Sequence, residues 1–365
     1  MQKNVTYAFV DILRKILENG SFVTTRGNEQ VEILSQLLQM KNSSERVIVL
    51  PHRNNNIFAL IAETMWVLGG RDDLAFLSHY LPRAIDFSDD GKTWRAAYGP
   101  RLRNWNGVDQ FKEIARIINE DKNTKRAVMI IYDPKKDYVE TKDVPCNNWL
   151  HFMVRDGQLH LNVAVRANDV VWGFGGINSF EWSILHEMMA FWTGTTVGTL
   201  SWFVGTIHVY KRHFKKSDQI LSSFGNKTLY EFGIQSPKFS TPFSDFDEEL
   251  KRWFSIEKNL RMENDSKVYY EIQQIPDSLL RNSLEMLYMY NQYLNNAPKE
   301  KIAELVEQLP TNDFKIAAIE YFSRAYNQNN LITLCDKEKH FFDFYWNDNK
   351  MNQNIDSREC AVTLE

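Results

Sequence analysis

Cys146 is the side chain in this sequence best suited to nucleophilic chemistry, because a thiolate attacks electron-poor carbon atoms. It follows Pro145 and precedes a segment in which apolar and polar residues alternate. Asp156-Gly157 then gives a strong two-residue turn signal, and a second alternating segment runs to Arg166. The two segments predict a β-hairpin with Cys146 at the start of its first strand.

The turn also predicts the register of this hairpin, since side chains on a strand alternate between two faces. The expected pairs are Val154 with Leu159, Phe152 with Leu161, Leu150 with Val163, Asn147 with Arg166 and Cys146 with Ala167. Arg166 would then lie within about 6 Å of the Cys146 position. A guanidinium there is expected to lower the pKa of the thiol and favour the thiolate. A small cysteine packed in the core is the competing interpretation.

Glu63 is the only charged residue between Phe58 and Leu68, in a segment that otherwise predicts an apolar helix. A buried carboxyl has a raised pKa and can transfer protons near neutral pH. A glutamate that faces solvent, a subunit interface or an arginine is the alternative. Glu63 is therefore the second candidate for chemistry.

Four cations could form a binding site for a phosphate group. Arg26, Lys125 and Arg126 lie at predicted loops or strand edges, where most cations are simply solvated. If the fold brings them to Arg166, their N–H groups would match the oxygens of a phosphate. The negatively charged part of a substrate is expected there.

His208 and Tyr210 are two residues apart in a predicted strand, so their side chains share one face. A structural pair in the core is the alternative. The glycines of Gly173-Phe-Gly-Gly176 permit a close approach of the backbone but match no glycine-rich phosphate fingerprint.

Helices and strands must position these residues. Apolar residues at helical spacing predict helices over residues 5–17, 31–40, 57–68, 111–118 and 178–192. Predicted strands cover residues 127–132, 150–155, 159–166 and 200–209, with a polar loop at 24–28. The character changes after residue 235, and further helices are predicted over 279–293, 299–308 and 312–326. The polar stretch 347–365 is expected to be flexible.

The composition excludes several classes of function. The chain has 365 residues and a formal net charge of −4, which argues against non-specific binding of nucleic acid. Three widely spaced cysteines predict neither a disulfide framework nor a metal site. Residues 1–20 read as an amphipathic helix, and no apolar run approaches the roughly 20 residues that span a membrane. We expect a cytoplasmic protein without a membrane or nucleic-acid partner.

The order of these residues resembles the thymidylate synthase family over about residues 20–215. The matching motifs are Arg26-Gly27, Glu63 before Trp66, Tyr98-Gly99, Asp109-Gln110, Lys125-Arg126, Pro145-Cys146, Arg166 with Asp169, Gly173 with Asn178, and His208, Tyr210 and His213. The resemblance implies an α+β fold with a mixed, bent sheet and long helices. The catalytic domain would cover residues 1–235. Residues 236–365 would form a mainly helical C-terminal extension of unknown role.

The resemblance also implies a pyrimidine nucleotide, 5,10-methylenetetrahydrofolate as co-substrate and a homodimer with shared active sites. The implied roles are attack on C6 by Cys146; phosphate binding by Arg26, Arg126 and Arg166, with Lys125 and Arg126 from the partner subunit; base recognition by Asn178; sugar binding by His208 and Tyr210; proton transfer by Glu63 and Tyr98; and folate binding by Asp169 and Trp66. Addition of the thiolate at C6 makes C5 nucleophilic, and hydrogen bonds to the ring carbonyl stabilise the developing enolate.

Several positions depart from the family pattern. They are Asn147 where His is usual, Val165-Arg166-Ala167 where Gln-Arg-Ser is usual, Lys125 where Arg is usual, and Phe174-Gly175-Gly176-Ile177 in place of Leu-Pro. The short C-terminal tail of the family has no clear match.

Three hypotheses follow. The first is methylation of dUMP to dTMP, because the amide of Asn178 can match both O4 and N3 of uracil. The second is hydroxymethylation of dUMP or dCMP, in which water rather than hydride reacts with the exocyclic methylene. The third is a nucleotide-binding relative that has lost catalysis and uses its helical extension to bind a partner.

Overall fold

The computed structural model describes residues 1–262 and 266–346 and divides the chain into two compact units. The first unit comprises residues 1–46, 59–217 and 242–244. The second comprises residues 47–58, 218–241 and the described part of 245–365. The domain boundary between residues 235 and 236 stays a prediction. Cys360 and the stretch 347–365 lie outside the described residues.

The first unit contains a six-stranded mixed sheet in the order β1-β2-β6-β5-β4-β3. Its strands are β1 Ser21–Thr25, β2 Asn28–Met40, β3 Val128–Ile130, β4 Asn147–Arg155, β5 Gln158–Asp169 and β6 Thr196–Tyr210. β5 and β6 are parallel, and the other neighbours are antiparallel. The predicted α+β class is confirmed.

The hairpin of β4 and β5 forms because its sequence supplies residues that suit the turn and an alternation of apolar and polar residues in both strands. Asp156 and Gly157 have φ angles of 52° and 74°, which a two-residue hairpin turn requires. Val154 pairs with Leu159, as predicted, and the register holds as far as Leu150 and Val163.

The predicted helix over residues 31–40 is wrong, because this segment belongs to β2. β2 pairs with β1 through the turn at Arg26 and Gly27 and with β6 along most of its length. Ser35 has a φ of 53°, so the backbone leaves the extended conformation in mid-strand. The interruption removes the alternation of apolar residues, and the remaining spacing resembles that of a helix.

The helices, in chain order, are α1 Val5–Asn19, α2 Ile57–Leu68, α3 Leu74–Tyr80, α4 Tyr98–Arg103, α5 Gln110–Glu120, α6 Pro134–Asp137, α7 Ser179–Trp192, α8 Phe214–Ser223, α9 Phe243–Met262, α10 Ser266–Gln273, α11 Ser278–Leu294, α12 Lys299–Gln308, α13 Asp313–Ala325 and α14 Asp336–Trp346. A π-helix, Val170–Asn178, leads directly into α7. α7 packs on β5 and β6, and its residues from Ser179 to Ala190 are buried, so apolar side chains surround it.

The second unit is helical in its described part, and α11, α12 and α13 confirm the three helices predicted there. Aromatic stacking contributes to its core, with the rings of Phe58 and Tyr290 4.6 Å apart. Asp277 caps α11 by accepting from the backbone N–H of Leu280, and it also accepts from that of Thr241.

Candidate active site

A β-bulge places Arg166 beside Cys146. Asn147 pairs with Val165 and Trp149 pairs with Ala164, so β4 carries one extra residue at this point. The predicted pairing of Asn147 with Arg166 is therefore wrong, because the bulge shifts the register by one residue. The backbone N–H of Arg166 instead donates to Cys146 O at 2.9 Å.

The Arg166 side chain is held against the segment that leads to the nucleophile. Its Nε donates to Pro145 O at 2.9 Å, and its Nη2 donates to Val144 O at 2.7 Å. The guanidinium remains exposed in part, so the two carbonyls orient a cation that still faces solvent.

Burial raises the pKa of the Cys146 thiol. The Arg166 charge opposes this shift, the Asp143 charge adds to it, and the Arg26 charge opposes it. The expectation that nearby cations give a lowered pKa is wrong for this state of the site, because desolvation of the thiolate outweighs their attraction. The cations are nevertheless in place to stabilise the thiolate.

Glu63 has the raised pKa that its apolar helix predicts. Burial, followed by the Asp143 charge, raises the pKa of Glu63 to about 8. The side chain keeps slight exposure, but its Oε2 is buried and has no hydrogen-bond partner among residues 1–262 and 266–346. This carboxyl is therefore largely protonated at neutral pH.

A hydrogen-bonded chain connects α4, β4 and α7 next to the nucleophile. Trp182 Nε1 donates to Asn147 Oδ1 at 3.2 Å, and Asn147 Nδ2 donates to the hydroxyl oxygen of Tyr98 at 2.8 Å. Burial raises the pKa of Tyr98 well above its usual value, and the Cys146 charge adds to the shift. Asn147 thus orders the neighbouring phenol.

Asn178 and Glu181 form a second buried polar pair, at the start of α7. Asn178 Nδ2 donates to Glu181 Oε1 at 2.9 Å. Burial raises the pKa of Glu181 well above its usual value, and the Glu63 charge adds to the shift. Two proton-holding carboxyls therefore influence each other in this part of the site.

His208 and Tyr210 lie together as predicted, with their ring centroids 4.9 Å apart. In the part of the chain that the structure describes, neither ring nitrogen of His208 has a hydrogen-bond partner. Burial lowers the pKa of His208, although the charge of Asp169, its neighbour on β5, opposes this. A buried neutral imidazole without a partner suits a ligand hydroxyl.

The predicted phosphate-binding cations fall into two groups. Arg26 has a φ of 49° in the turn between β1 and β2, and its Nη1 donates to Lys142 O at 3.2 Å. Its charge and that of Arg166 both reach Cys146. Lys125 and Arg126 are exposed in the segment before β3. The structure brings together the first pair, and the role of the second pair stays a prediction.

The two predicted folate-binding residues differ in exposure. Trp66 is buried, and its Nε1 donates to Asp73 O at 3.0 Å. Asp169 is half-buried at the end of β5, where it accepts from the backbone N–H of Val171 at 2.8 Å. The half-buried Trp94 packs against Trp66, with ring centroids 6.0 Å apart.

Sequence reasoning missed Asp143, Trp94, Trp182 and Glu181. Asp143 accepts from Trp94 Nε1 at 2.9 Å, and its charge acts on both Cys146 and Glu63. Its position three residues before the nucleophile was an available signal. Glu181 follows Asn178 by three residues, the spacing at which helical side chains meet.

Within residues 1–262 and 266–346, no cluster of three or more His, Cys, Asp or Glu side chains is arranged to hold a metal ion. Over the same ranges, every helix is too short or too polar to cross a membrane.

The first unit brings together a cysteine, the charges of two arginines and a buried carboxyl with a raised pKa, a set of groups that is typical of enzyme sites. A family model described as thymidylate synthase matches residues 7–249, and the chain belongs to the thymidylate synthase family. It is an enzyme of one-carbon transfer to C5 of a pyrimidine nucleotide, in a folate-dependent family.

Three curated relatives share the name deoxyuridylate hydroxymethyltransferase. The protein of Bacillus phage SP01 is 30% identical over 88% of this chain and 92% of its own length. That of Delftia phage PhiW-14 is 32% identical over 56% of this chain and 60% of its own length. That of Pseudomonas phage M6 is 31% identical over 58% of this chain and 64% of its own length.

Proposed function

We propose that this enzyme transfers a hydroxymethyl group to C5 of dUMP, with 5,10-methylenetetrahydrofolate as the one-carbon donor. The observation that carries the proposal is the similarity to the Bacillus phage SP01 deoxyuridylate hydroxymethyltransferase over 88% of the chain. This similarity extends beyond residues 7–249, the part that the family model matches. It therefore includes part of the C-terminal region, for which the family pattern gave no role.

Cys146 is the proposed nucleophile. Its thiolate adds to C6 of the uracil ring, which makes C5 nucleophilic and moves negative charge to O4. Arg166 and Arg26, whose charges both reach Cys146, bind the phosphate and stabilise the thiolate. His208 and Tyr210 hold the sugar.

Protons in this reaction are proposed to pass through Glu63. A pKa of about 8 keeps its carboxyl protonated at neutral pH, so it can stabilise the charge that develops at O4. Once ionised, the same carboxylate can accept a proton from the water that becomes the hydroxyl group. Tyr98, oriented by Asn147, contributes to the same proton network.

Residues of this chain also fit the folate. The half-buried ring of Trp94 stacks on the exposed ring of Phe87, 5.1 Å away and nearly parallel, and such faces suit a flat heteroaromatic ring. Trp66 packs against Trp94, and the half-buried Asp169 at the end of β5 offers a carboxylate. When bound, the folate supplies the one-carbon unit.

The test is identification of the products. The purified enzyme is incubated with dUMP and 5,10-methylenetetrahydrofolate, and the nucleotide and the folate are identified by mass spectrometry. Hydroxymethyl-dUMP with tetrahydrofolate is expected. Cys146→Ser is the matched control and should give neither product. Formation of dTMP with dihydrofolate, or of no modified nucleotide by correctly folded wild-type enzyme, would overturn the proposal.

Methylation of dUMP to dTMP is the second candidate, and the family description favours it. It would give dTMP with dihydrofolate in the same experiment, because the folate must then also supply a hydride. The two products differ in mass by one oxygen atom, so a single measurement separates the candidates.

We also propose that the enzyme acts in the cytoplasm as a homodimer with shared active sites. Apolar side chains form a row across one face of the sheet, because Leu37, Phe203, Ala164, Trp149 and Ile130 are successive cross-strand neighbours. Leu37, Phe203 and Ile130 are each about half exposed. A second copy would bury this row, and its Lys125 and Arg126 would complete the phosphate site.

A further inference from the structure

Asp143 connects the nucleophile with the aromatic rings that are proposed to bind the folate. Its Oδ2 accepts from Trp94 Nε1 at 2.9 Å, and the Trp94 ring stacks on Phe87. Beyond the effect of burial, its negative charge contributes to the raised pKa values of Cys146 and Glu63. A carboxylate therefore lies where the proposed positions of the nucleotide and the folate meet.

Hydrogen bonds fix the segment before Asp143 against the loop that carries Trp94. Thr141 Oγ1 donates to Asp89 Oδ2 at 2.5 Å, and the backbone N–H of Lys142 donates to Asp89 Oδ1 at 3.0 Å. Together with the bond from Trp94, these contacts hold the Asp143 carboxylate in one place. A group that orients a reactant must be fixed in this way.

Asp143 and Glu63 differ in the groups that surround them. Burial raises the pKa of Asp143, but the Trp94 indole, the backbone N–H of Val144 and two arginine charges oppose this shift. Burial also raises the pKa of Glu63, to about 8, and there the charge of Asp143 adds to the shift. Asp143 is therefore the carboxyl of the pair that is stabilised in its charged form, and Glu63 is the one that holds a proton.

The Asp143 carboxylate can bind water in addition to the indole. The residue is half-buried, so solvent reaches it. A carboxylate offers about four acceptor sites, and the N–H groups of Trp94 and Val144 occupy two of them. The sites that remain can accept the hydrogen atoms of a water molecule.

We propose that Asp143 is a further catalytic residue, whose carboxylate holds the water that attacks the nucleotide in hydroxymethylation. The inference rests on the proposed function, in which C5 carries an exocyclic methylene group after the one-carbon transfer. Water must approach this methylene from the side of the folate, because the one-carbon unit arrived from there. Asp143, bonded to Trp94 and coupled by charge to Cys146, lies on that side.

The proposed step conserves atoms and electrons and requires no oxidant or reductant. The water oxygen forms a bond to the methylene carbon, and the π electron pair of the methylene double bond moves through C5 to O4 as an enolate. The water proton passes to Glu63 once that carboxyl is ionised, and burial and the Asp143 charge make Glu63 a stronger base. Return of the electron pair from O4 forms the C5–C6 double bond and breaks the C6–S bond, which releases the Cys146 thiolate.

The test follows two steps of a single turnover in the full-length enzyme. The enzyme is in excess over dUMP that carries tritium at C5, with 5,10-methylenetetrahydrofolate present. Tritium release reports formation of the methylene group, and mass spectrometry reports hydroxymethyl-dUMP. Asp143→Asn keeps the shape of the side chain but removes its charge.

We expect Asp143→Asn to release tritium within about threefold of the wild-type rate and to form hydroxymethyl-dUMP about 10²-fold more slowly. The methylene nucleotide should then accumulate as a covalent adduct on Cys146, or dTMP should replace the hydroxymethyl product. Either result supports the inference, because in both the methylene forms but water does not react with it.

Asp133→Asn is the matched control. Asp133 Oδ2 accepts from Trp105 Nε1 at 3.0 Å, which is the same kind of contact, and this variant should keep the wild-type rates of both steps. Asp143→Ala removes the carboxylate by a second substitution and should give the same result as Asp143→Asn. The covalent adduct with 5-fluoro-dUMP and the folate counts the correctly folded sites, because the fluorine at C5 stops the reaction before the methylene forms.

An Asp143→Asn enzyme that forms hydroxymethyl-dUMP within about twofold of the wild-type rate would overturn the inference. An equal decrease in tritium release and in product formation would also overturn it, because the residue would then act before the water step. Both outcomes leave the proposed function intact. A wild-type enzyme that releases tritium but forms no hydroxymethyl-dUMP would instead overturn the proposed function, and the inference with it.

Discussion

The site has two walls that differ in how their charged groups are solvated. The strand wall consists of Arg166 on β5, His208 and Tyr210 on β6, and Cys146 immediately before β4. Its cation is partly exposed and is oriented by backbone carbonyls, while the imidazole is buried without a partner. Such a surface can exchange water for the phosphate and hydroxyl groups of a nucleotide at little cost.

The helix wall consists of Glu63, Asn178 and Glu181, carried by α2 and by the start of α7. Here desolvation dominates, because two carboxyls have raised pKa values and each keeps one buried oxygen without a partner among the described residues. Buried groups of this kind are suited to holding protons. Under the proposed function, the strand wall would bind and attack the nucleotide, and the helix wall would supply protons.

Replacement of the nucleophile should have the largest effect. Cys146→Ser removes the thiolate and should lower kcat by about 10⁴-fold or more, since a serine hydroxyl is far less nucleophilic at neutral pH. Mass spectrometry should detect a covalent adduct of 5-fluoro-dUMP with the wild type in the presence of the folate. The serine variant should form none. Normal turnover by this variant would mean that Cys146 is not the nucleophile.

Glu63→Gln tests the helix wall directly. We expect kcat to fall by about 10²- to 10⁴-fold, which is the range for loss of a general acid or base. The pKa of about 8 in the free protein predicts that wild-type kcat/KM decreases as the pH rises through that value, because the protonated form is lost. The pH profile of the variant should lack this decrease. If both enzymes show the same decrease at high pH, another group is responsible for it.

The strand wall was largely predictable because its signals are local. The turn at Asp156 and Gly157 and the alternation around it define the hairpin without any knowledge of the rest of the chain. The bulge between Asn147 and Trp149 was not predictable, since an extra residue leaves the alternation intact on both sides. The helix over residues 31–40 failed for a related reason, because the positive φ of Ser35 interrupts the strand pattern.

The helix wall was predictable only in part. A lone charge in an apolar helix identified Glu63, and a family resemblance identified Asn178. Glu181 and Asp143 were missed because their importance depends on desolvation and on charges from other elements. The sequence likewise did not reveal the burial of Cys146, so the predicted lowering of its pKa was wrong. Local patterns predict contacts along a strand better than they predict solvation.

Mixed dimers would show whether the strand wall is completed by a partner. Cys146→Ser and Arg126→Ala should each be poorly active alone. When the two are unfolded and refolded together, heterodimers should contain one intact site, and about a quarter of wild-type activity should return. Refolding of each variant with itself is the control. No recovery, with dimers verified by light scattering, would place Arg126 in the site of its own chain or outside the site.

Asn147→Ala tests the connection between the walls. The substitution leaves Trp182 Nε1 without its acceptor and removes the donor to Tyr98. An unsatisfied buried donor costs about 1–3 kcal/mol, so the free energy of unfolding should decrease by that amount. Denaturant titration measures it. Asn148→Ala, at the half-buried bulge residue beside it, is the matched control and should cost less.

Ionisation of Glu63 should also change how stability depends on pH, and the sign of that change is characteristic of the helix wall. The folded-state pKa of Glu63 is about 8 against an ordinary value of 4.5, so the folded protein retains a proton that the unfolded chain loses in this range. Stability that is present below pH 4.5 is therefore lost as the pH rises through about 8. Glu63→Gln cannot ionise. Its stability relative to the wild type should therefore increase between pH 5 and pH 8, by about 1–3 kcal/mol after allowance for the slight exposure of Glu63.

Urea unfolding at the two pH values measures this difference. Glu120→Gln replaces an exposed glutamate at the end of α5 and should show no such change. A constant difference between Glu63→Gln and the wild type at both pH values would mean that this carboxyl is already ionised in the folded protein, and the contrast between the two walls would then fail.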